Sequence, residues 1–398
     1  MLDEPSIKKK PLRFEMGPIR PPSEGKDHSL LLRPTRNCPW NHCLFCGTYQ
    51  DKKFEYRSVA EIKGDIDAVE ALCNEIRAAS RRLGYAGQVN SQVISSMVEQ
   101  EDNILELENL VNIANWLASG ARTVFLQDAN TLIMRTPDLV EVLKYLKTKF
   151  PTIERITSYG RSKTAARKSP EDLKALHEAG LSRLHIGMES GCDEVLEFIR
   201  KGVTARELIE AGQKVIKAGI SLSLYIMPGL GGKKWSQKHA LETARVLNEI
   251  GKPDYIRLRS LAVRRGTALH DKLVSREFEP LSDEEIVAEI RLLVDNLSCG
   301  GNLVSDHVAN LLWEVEGTLP GDKEDILQII DHYLGLPDIE RLRFRLRRRL
   351  LSYLQIYGSL TDELKPVIAE AQEVVEASSP EAANIVDRAI ESLKQGFI

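Results

Sequence analysis

Residues 28–46 read HSLLLRPTRNCPWNHCLFC, an apolar segment that runs directly into three cysteines. The first part, residues 28–36, has the short apolar run that is typical of a buried strand. Cys38, Cys43 and Cys46 follow it and are half of the six cysteines in the chain. In a reducing compartment, a tight group of cysteines indicates metal or redox chemistry rather than disulfides. The sequence therefore predicts a metal-binding loop at the end of a strand.

The spacing of these cysteines, C-x4-C-x2-C, limits which metal group the loop can hold. A structural zinc ion needs four ligands, and His42 is awkward as the fourth because it is adjacent to Cys43. Three thiolates suit a [4Fe–4S] cluster, in which one iron can stay open to another ligand. The other cysteines stand singly and are interpreted as small buried residues: Cys73, Cys192 and Cys299. An iron–sulfur site is favoured, and a zinc-stabilised barrel without catalytic activity is the alternative.

Composition narrows the class of protein. The chain has 398 residues, of which 42% are hydrophobic and 28% are charged, as in ordinary globular proteins. Its formal net charge of −4 argues against nucleic acid as a partner. No apolar run approaches the roughly 18 residues that a membrane span requires. The first residues, MLDEPSIKKKPLRFE, lack the apolar core of a signal peptide, so we expect a cytoplasmic protein.

Downstream of the cysteines, short apolar runs alternate with amphipathic helical patterns. Six such strand–helix units can be counted between residues 28 and 270, which predicts a parallel sheet. We expect an α/β fold, a partial (β/α)6 TIM-type barrel over residues 28–270. Residues 1–27 are expected to form an extended arm, residues 271–398 a mostly helical region, and residues 83–101 an insertion. The predicted strands are 28–36, 122–127, 153–158, 183–187, 220–227 and 255–261.

The strand, the cysteine loop and the barrel pattern together resemble the radical S-adenosylmethionine (SAM) enzymes. The family motif is C-x3-C-x-Φ-C with an aromatic Φ, and Phe45 stands at Φ before Cys46. The first gap here holds four residues, 39–42, rather than three. The resemblance implies a [4Fe–4S] cluster on Cys38, Cys43 and Cys46 whose open iron is chelated by SAM. Reductive cleavage of SAM would give a 5′-deoxyadenosyl radical that abstracts hydrogen from a substrate.

The resemblance also implies a set of SAM-binding residues. In a parallel barrel the carboxyl ends of the strands line one cavity, so polar residues there are the candidates. The turn GMESG resembles a family turn that faces the SAM ribose or methionyl group, and an arginine often closes the helix that follows it. An acid after the second strand would suit a cation. The implied SAM-binding residues are Phe45, Asp128, Ser158, Arg161, Glu189, Ser190 and Arg200.

Within the family, the sequence looks most like the single-cluster branch near the oxygen-independent coproporphyrinogen oxidases. This resemblance implies a small-molecule or peptide substrate and an external one-electron donor such as flavodoxin or ferredoxin. It leaves the reaction class open between oxidoreductase and transferase or lyase. A coproporphyrinogen oxidase or another haem-handling relative is the alternative among enzymes.

Two features of the C-terminal region could contact the substrate. Residues 305–317, SDHVANLLWEVEG, are expected to form a helix that presents His307, Asn310 and Glu314 on one face. Asp306 and His307 are then weak candidates for proton transfer, and a solvent-facing helix capped by Ser305 or Asp306 is the alternative. Residues 341–349 hold six arginines, which could bind an anion or only form a solvated face.

Overall fold

The computed structural model describes residues 13–19, 28–99 and 103–396. Eight strands form one sheet in the order β1-β4-β5-β6-β7-β8-β9-β10, and β2 pairs with β3 in a small second sheet. The strands are β1 Ser29–Leu32, β2 Thr35–Arg36, β3 Glu55–Tyr56, β4 Thr123–Leu126, β5 Arg155–Gly160, β6 Leu181–Glu189, β7 Ser221–Ile226, β8 Tyr255–Leu258, β9 Gly301–Val304 and β10 Gly317–Leu319.

Fifteen α-helices connect and cover these strands in the described residues. Several begin at the Ser/Thr-x-x-Glu/Asp signal visible in the sequence, where side chains and backbone N–H groups cap each other, as at Ser58 and Thr204. The helices are α1 Val59–Arg82, α2 Ser91–Val98, α3 Ile104–Ala118, α4 Thr136–Lys149, α5 Ser162–Arg167, α6 Pro170–Glu178, α7 Asp193–Phe198, α8 Ala205–Lys217, α9 Gly232–Ile250, α10 Ala268–Val274, α11 Asp283–Asp295, α12 Lys323–Leu334, α13 Asp338–Tyr357, α14 Leu364–Glu376 and α15 Ala382–Lys394.

The main sheet confirms the predicted α/β fold and partial barrel. Neighbouring strands from β1 to β9 are parallel, and only the β9–β10 pair of the sheet is antiparallel. Parallel strands joined by helices bring every strand's carboxyl end to the same edge of the sheet. The sequence analysis predicted too few strands for this sheet, because β9 and β10 lie beyond residue 270. They have four and three residues, begin with glycine, and carry too little alternation to stand out in the sequence.

The expected helix over 305–317 is wrong. Between β9 and β10 the chain forms turns, so His307, Asn310 and Glu314 do not share a helix face. The Asn310 side chain accepts the Ser260 backbone N–H and donates to the Leu258 carbonyl, at 2.8 and 2.7 Å. Ser305 Oγ donates to the Leu312 carbonyl at 2.7 Å. Such side-chain bonds to backbone compete with helix formation.

The predicted insertion, residues 83–101, is partly helical, because it contains α2. Asn90 caps this helix by accepting the backbone N–H of Val93, whose side chain is buried. Residues 100–102 lie outside the described part of the chain. Within this segment, α2 thus packs against the main core through Val93.

The main hydrophobic core fills the barrel and extends into α11 and α12 beyond residue 270. A second, smaller core is formed by α13, α14 and α15. Asp283 at the start of α11 joins the two regions, because it is fully buried and pairs with cations from α13 and α15: Arg345, Arg349 and Lys394. The division at residue 270 stays a prediction.

Part of the N-terminal arm is docked on the barrel. Phe14 is buried in the main core, and Glu15 pairs with arginines of the cysteine-loop region: Arg33, Arg36 and Arg57. Gly17 N–H donates to the Gln127 side chain at 2.8 Å, and Gln127 Nε2 donates to the Ile19 carbonyl at 2.6 Å. The rest of the expected arm, 1–12 and 20–27, lies outside the described residues.

None of the helices in the described residues combines the length and apolarity that crossing a membrane would need.

Candidate functional site

A cleft of about 1360 Å³, including its open mouth, lies at the carboxyl ends of the parallel strands. This is the edge where barrel folds place their binding sites. The lining comes from the cysteine loop, from the ends of β5 to β8 and from the segment after β9. The lining residues with polar or reactive side chains include Cys38, Cys43, Cys46, Tyr49, Tyr159, Arg161, Glu189, Lys201, Tyr225, Arg259, Arg264 and His307.

The cysteine loop is clamped on both sides. Strands β2 and β3 pair antiparallel at its base, and within it Leu44 N–H donates to the Ile199 carbonyl at 3.0 Å. On the other side, Leu269 N–H donates to the Leu44 carbonyl at 2.9 Å. Trp40 Nε1 donates to the Arg200 carbonyl at 2.7 Å. The Trp40 ring packs so closely on Gly202 that a Cβ at this position would lie 2.2 Å from a ring carbon. These contacts tie the cysteine loop to the turn after α7 and to the start of α10.

All three predicted ligand cysteines line the cleft, and all six cysteines of the chain are free thiols. Burial raises the pKa of Cys43 to about 11, although nearby Lys201 lowers it. Binding a metal group as thiolate would therefore release a proton at neutral pH.

The donor set fits a cluster better than a single ion. In the described part of the chain, no three His, Cys, Asp or Glu side chains are grouped closely enough for one metal ion. Thiolates on separate irons of a cluster lie further apart than thiolates that share one zinc. Cys73, Cys192 and Cys299 are buried outside the cleft lining, so among the described residues three cysteines face it. The zinc alternative gains no support from this arrangement.

Glu189 and Lys201 form an ion pair in the cleft. Lys201 Nζ lies 2.8 Å from Glu189 Oε1, and the two side chains are 13% and 11% exposed. Burial acts to lower the pKa of Lys201, but the charge and hydrogen bond of Glu189 together with the charge of Cys43 outweigh it, and the pKa is raised. A Cβ on Gly187 would lie 2.2 Å from Glu189 Oε1, so glycine gives the carboxylate its room. The pair is a charged, oriented feature of the cleft wall.

Lys201 lines the cleft and Arg200 does not, and the SAM contact expected of Arg200 stays a prediction. The Arg200 side chain is exposed, and its contact with the site is through its backbone carbonyl. Arg200 and Lys201 end the short helix α7 in a tight turn, where Arg200 has a φ of 54°. In such a turn a shift of one residue decides which side chain faces the cleft, and sequence pattern does not fix that register.

Arg161 and Phe45 line the cleft next to this pair. Arg161 Nη2 donates to the Lys201 carbonyl at 2.8 Å, and the guanidinium stacks 4.9 Å from the centre of a Trp40 ring. Burial lowers the pKa of Arg161. Lys201 Nζ lies 5.8 Å from the centre of the Phe45 ring.

Three other predicted residues are buried outside the lining. Asp128 pairs with Arg33 and accepts the backbone N–H of Asn37 at 3.0 Å, so it anchors the start of the cysteine loop. Ser158 Oγ donates to the Tyr159 carbonyl at 3.0 Å. Ser190 Oγ lies 2.8 Å from His239 Nδ1, behind the turn that carries Glu189. A SAM contact for any of these three stays a prediction.

The two candidates for proton transfer, Asp306 and His307, have different surroundings. His307 lines the cleft, and its Nδ1 accepts the Ala309 backbone N–H at 3.1 Å. Asp306 is paired with Arg257. The sequence analysis also missed Tyr225 and Arg259, although alternation along β7 and β8 was a usable signal. Polar or aromatic residues there alternate with buried Leu222, Leu224, Ile256 and Leu258.

A family model, described as the radical SAM superfamily, matches residues 91–244. Over 117 residues the chain is 26% identical to a tRNA uridine(34) acetyltransferase of Methanocaldococcus jannaschii, covering 29% of this chain and 22% of that protein. Over 156 residues it is 24% identical to the heme chaperone HemW of Bacillus subtilis, covering 39% and 41%. The chain thus spans less than half of either relative. The solved structure of HydG, a maturase of the [FeFe]-hydrogenase, matches with a TM-score of 0.38 and 13% identity, covering 91% of this chain and 76% of that chain.

The matched residues begin after the cysteine loop. They contain the four strands β4, β5, β6 and β7 and the Glu189–Lys201 pair. Proteins of this superfamily bind a [4Fe–4S] cluster and SAM. Residues 91–244 of the chain therefore match the radical SAM superfamily.

Proposed function

We propose that this protein is a radical SAM enzyme whose cluster is held by Cys38, Cys43 and Cys46. Held by these three residues, a [4Fe–4S] cluster would supply the electron for reductive cleavage of SAM, and so the radical chemistry that removes hydrogen from a substrate. The observation that carries the proposal is that these three thiols and the Glu189–Lys201 pair line one cleft at the carboxyl ends of parallel strands.

Charge in the cleft supports this assignment. Three thiolates would bring a large negative charge into a half-buried space, which is unfavourable without nearby cations. Lys201 and Arg161 both act electrostatically on Cys43 and lower its pKa against the effect of burial. These two side chains would therefore stabilise the deprotonated loop.

Glu189 and Phe45 would orient SAM. A carboxylate can accept hydrogen bonds from ribose hydroxyls or from an ammonium group, and Glu189 is already fixed by Lys201 at 2.8 Å. Phe45 lies between two of the ligand cysteines and lines the cleft, so its ring would pack beside the bound nucleoside. Apolar lining residues, among them Met227, Leu261 and Ala309, would help to exclude water.

The finer parts of the proposal concern partners and reaction class. An external one-electron donor such as flavodoxin or ferredoxin would deliver the electron in the cytoplasm. The reaction is an oxidoreductase or a transferase or lyase reaction on a small molecule or peptide.

The proposal is tested by anaerobic reconstitution with iron and sulfide, followed by SAM and dithionite. We expect about four irons per chain and the formation of 5′-deoxyadenosine, measured by mass spectrometry. Cys38→Ala, Cys43→Ala and Cys46→Ala should each abolish 5′-deoxyadenosine formation. Cys73→Ala, which removes a buried thiol of α1 outside the cleft, should keep both iron and activity. A colourless protein with stoichiometric zinc, or a Cys43→Ala variant that still cleaves SAM, would contradict the proposal.

A further inference from the structure

Two arginines stand two residues apart near the end of β8, on the same side of the sheet. Arg257 is opposite Tyr225 in the parallel pairing, and Tyr225 lines the cleft. Because side chains alternate along a strand, the Arg257 and Arg259 positions both face the barrel interior, while Ile256 and Leu258 face the helices. Arg259 is nearer the carboxyl end and lines the cleft itself.

The charge and hydrogen-bonding groups of Arg257 are satisfied by partners within the protein. It is buried, its Nε donates to Ser223 Oγ at 3.2 Å, and its guanidinium pairs with Asp306 after β9. It also stacks 4.9 Å from the centre of the Tyr255 ring. This arginine ties β8 to β7 and to the segment after β9, so it has a structural role.

Arg259 has no such partners. Its side chain is half-buried, and its guanidinium makes no hydrogen bond or ion pair with the described residues. Its backbone is fixed, because its N–H donates to the Ile226 carbonyl at 2.9 Å. Arg264, in the loop that follows, also lines the cleft and likewise has no side-chain partner among the described residues.

On the β8 side of the cleft, positive charge exceeds negative charge. Glu189 is the one carboxylate among the described lining residues, and Lys201 already pairs with it. Arg161 and Lys201 lie next to the cysteines, which leaves Arg259 and Arg264 without an anion. A half-buried, unpaired cation is unfavourable, and an anionic ligand would relieve it. A guanidinium also presents a planar fork of donors that matches carboxylate and phosphate.

We infer that Arg259 binds a carboxylate or phosphate group of the substrate at the β8 side of the cleft, with Arg264 adding charge. This inference rests on the proposed function, and it names the class of molecule on which the radical acts: an anionic one. The carboxylate of SAM is expected at the cysteine side, where Arg161 and Lys201 lie.

The test measures how fast phenylglyoxal labels each arginine of the reconstituted protein, by peptide mass spectrometry. Labelling is compared in sodium chloride, sodium phosphate and sodium acetate at equal ionic strength, each with and without saturating SAM. At an anion concentration of about four times its Kd, labelling of Arg259 should slow about fivefold. Exposed Arg135, whose side chain pairs with Asp138, is the control and should label equally in all conditions.

The two anions separate the two substrate chemistries. Stronger protection by phosphate assigns a phosphorylated substrate, and stronger protection by acetate assigns a carboxylate. Equal labelling of Arg259 in all three salts overturns the inference. Protection by SAM alone also overturns it, because Arg259 would then belong to the SAM site. The 5′-deoxyadenosine assay on the same preparation reports the proposed function separately, since labelling requires no SAM cleavage.

A matched variant gives a second measurement. Arg259→Gln should leave the Tm unchanged in chloride, because the wild-type side chain bonds to none of the described residues. The protecting anion should raise the Tm of the wild type and of Arg259→Lys, and this rise should be lost in Arg259→Gln. A Tm rise of the same size in Arg259→Gln would contradict the inference.

Discussion

Two of the buried carboxylates that pair with cations differ in their access to solvent: Glu189 lies in the cleft and Asp283 beneath the C-terminal helices. Glu189 has one cation, Lys201, and both side chains reach the open cleft. Asp283 is sealed and surrounded by Arg345, Arg349 and Lys394. The sealed cluster can only join parts of the fold, while the open pair can exchange part of its bonding with a ligand. Access from the cleft, rather than charge or burial, thus separates the pair proposed to be functional from the structural one.

The largest effect expected from this comparison is on stability. Asp283→Asn removes the buried carboxylate that three cations share, so the free energy of unfolding should fall by about 3–5 kcal/mol. Urea denaturation of the purified protein measures this. The control is Asp387→Asn, since Asp387 pairs with Arg345 but is 56% exposed, and its loss should cost less than about 1 kcal/mol. Equal losses in the two variants would contradict a structural role for the sealed cluster.

The same cluster predicts how stability depends on acid. Burial acts to raise the pKa of Asp283, but Arg349, Lys394 and Arg345 outweigh it and hold the pKa well below 3.8. A carboxyl with a depressed pKa stabilises the fold above its unfolded pKa and loses this contribution as pH falls toward its folded pKa. The stability advantage of the wild type over Asp283→Asn should therefore be constant from pH 7 to about 5 and shrink below about 4. Urea titrations across this range test it, and an advantage that grows on acidification would contradict it.

Glu189→Gln should show the opposite balance between stability and binding. Because the pair opens into the cleft, the free energy of unfolding should fall by only about 1–2 kcal/mol. The affinity for SAM should fall by about tenfold, or roughly 1.4 kcal/mol. Calorimetric titration of the anaerobically reconstituted protein with SAM measures the affinity. Glu249→Gln, which breaks an exposed pair with Arg245, should leave it unchanged. Unaltered SAM binding in Glu189→Gln would make this pair structural, like the sealed one.

A smaller effect is expected from Gly187→Ala, which moves the pair without removing a charge. The added Cβ would lie 2.2 Å from Glu189 Oε1 and 3.1 Å from Lys201 Nζ, both ends of side chains that can shift. Stability should change by less than about 1 kcal/mol, and SAM affinity should fall about threefold. The same calorimetric titration measures it. An affinity equal to that of the wild type would show that the position of Glu189 is unimportant.

The sequence predicted the parts of the fold that depend on local pattern. The first six parallel strands and the cysteine loop follow from apolar runs, helix caps and thiol spacing, which are visible over a few residues. Strands β9 and β10 were not predicted, because their short sequences carry little strand signal. They are strands because β9 pairs with β8 and β10 pairs with β9.

The parts of the site that were missed depend on contacts between distant segments. Lys201 faces the cleft because Glu189, twelve positions earlier, lies beside it after folding. Residues 305–317 follow a helical pattern, but Asn310 bonds to the backbone after β8 and holds the segment in turns. Neither contact leaves a mark on the local sequence, so periodicity could not reveal it.

The docked N-terminal arm also affects where an expressed form of the protein should begin. Ile19 lines the cleft, and Glu15 neutralises arginines beside the cysteine loop. Starting the expressed chain at the first strand would therefore remove Ile19 from the cleft wall and deprive Arg33 and Arg36 of the charge of Glu15. Residues upstream of the barrel thus help to complete the cleft, so tags are better placed away from this end.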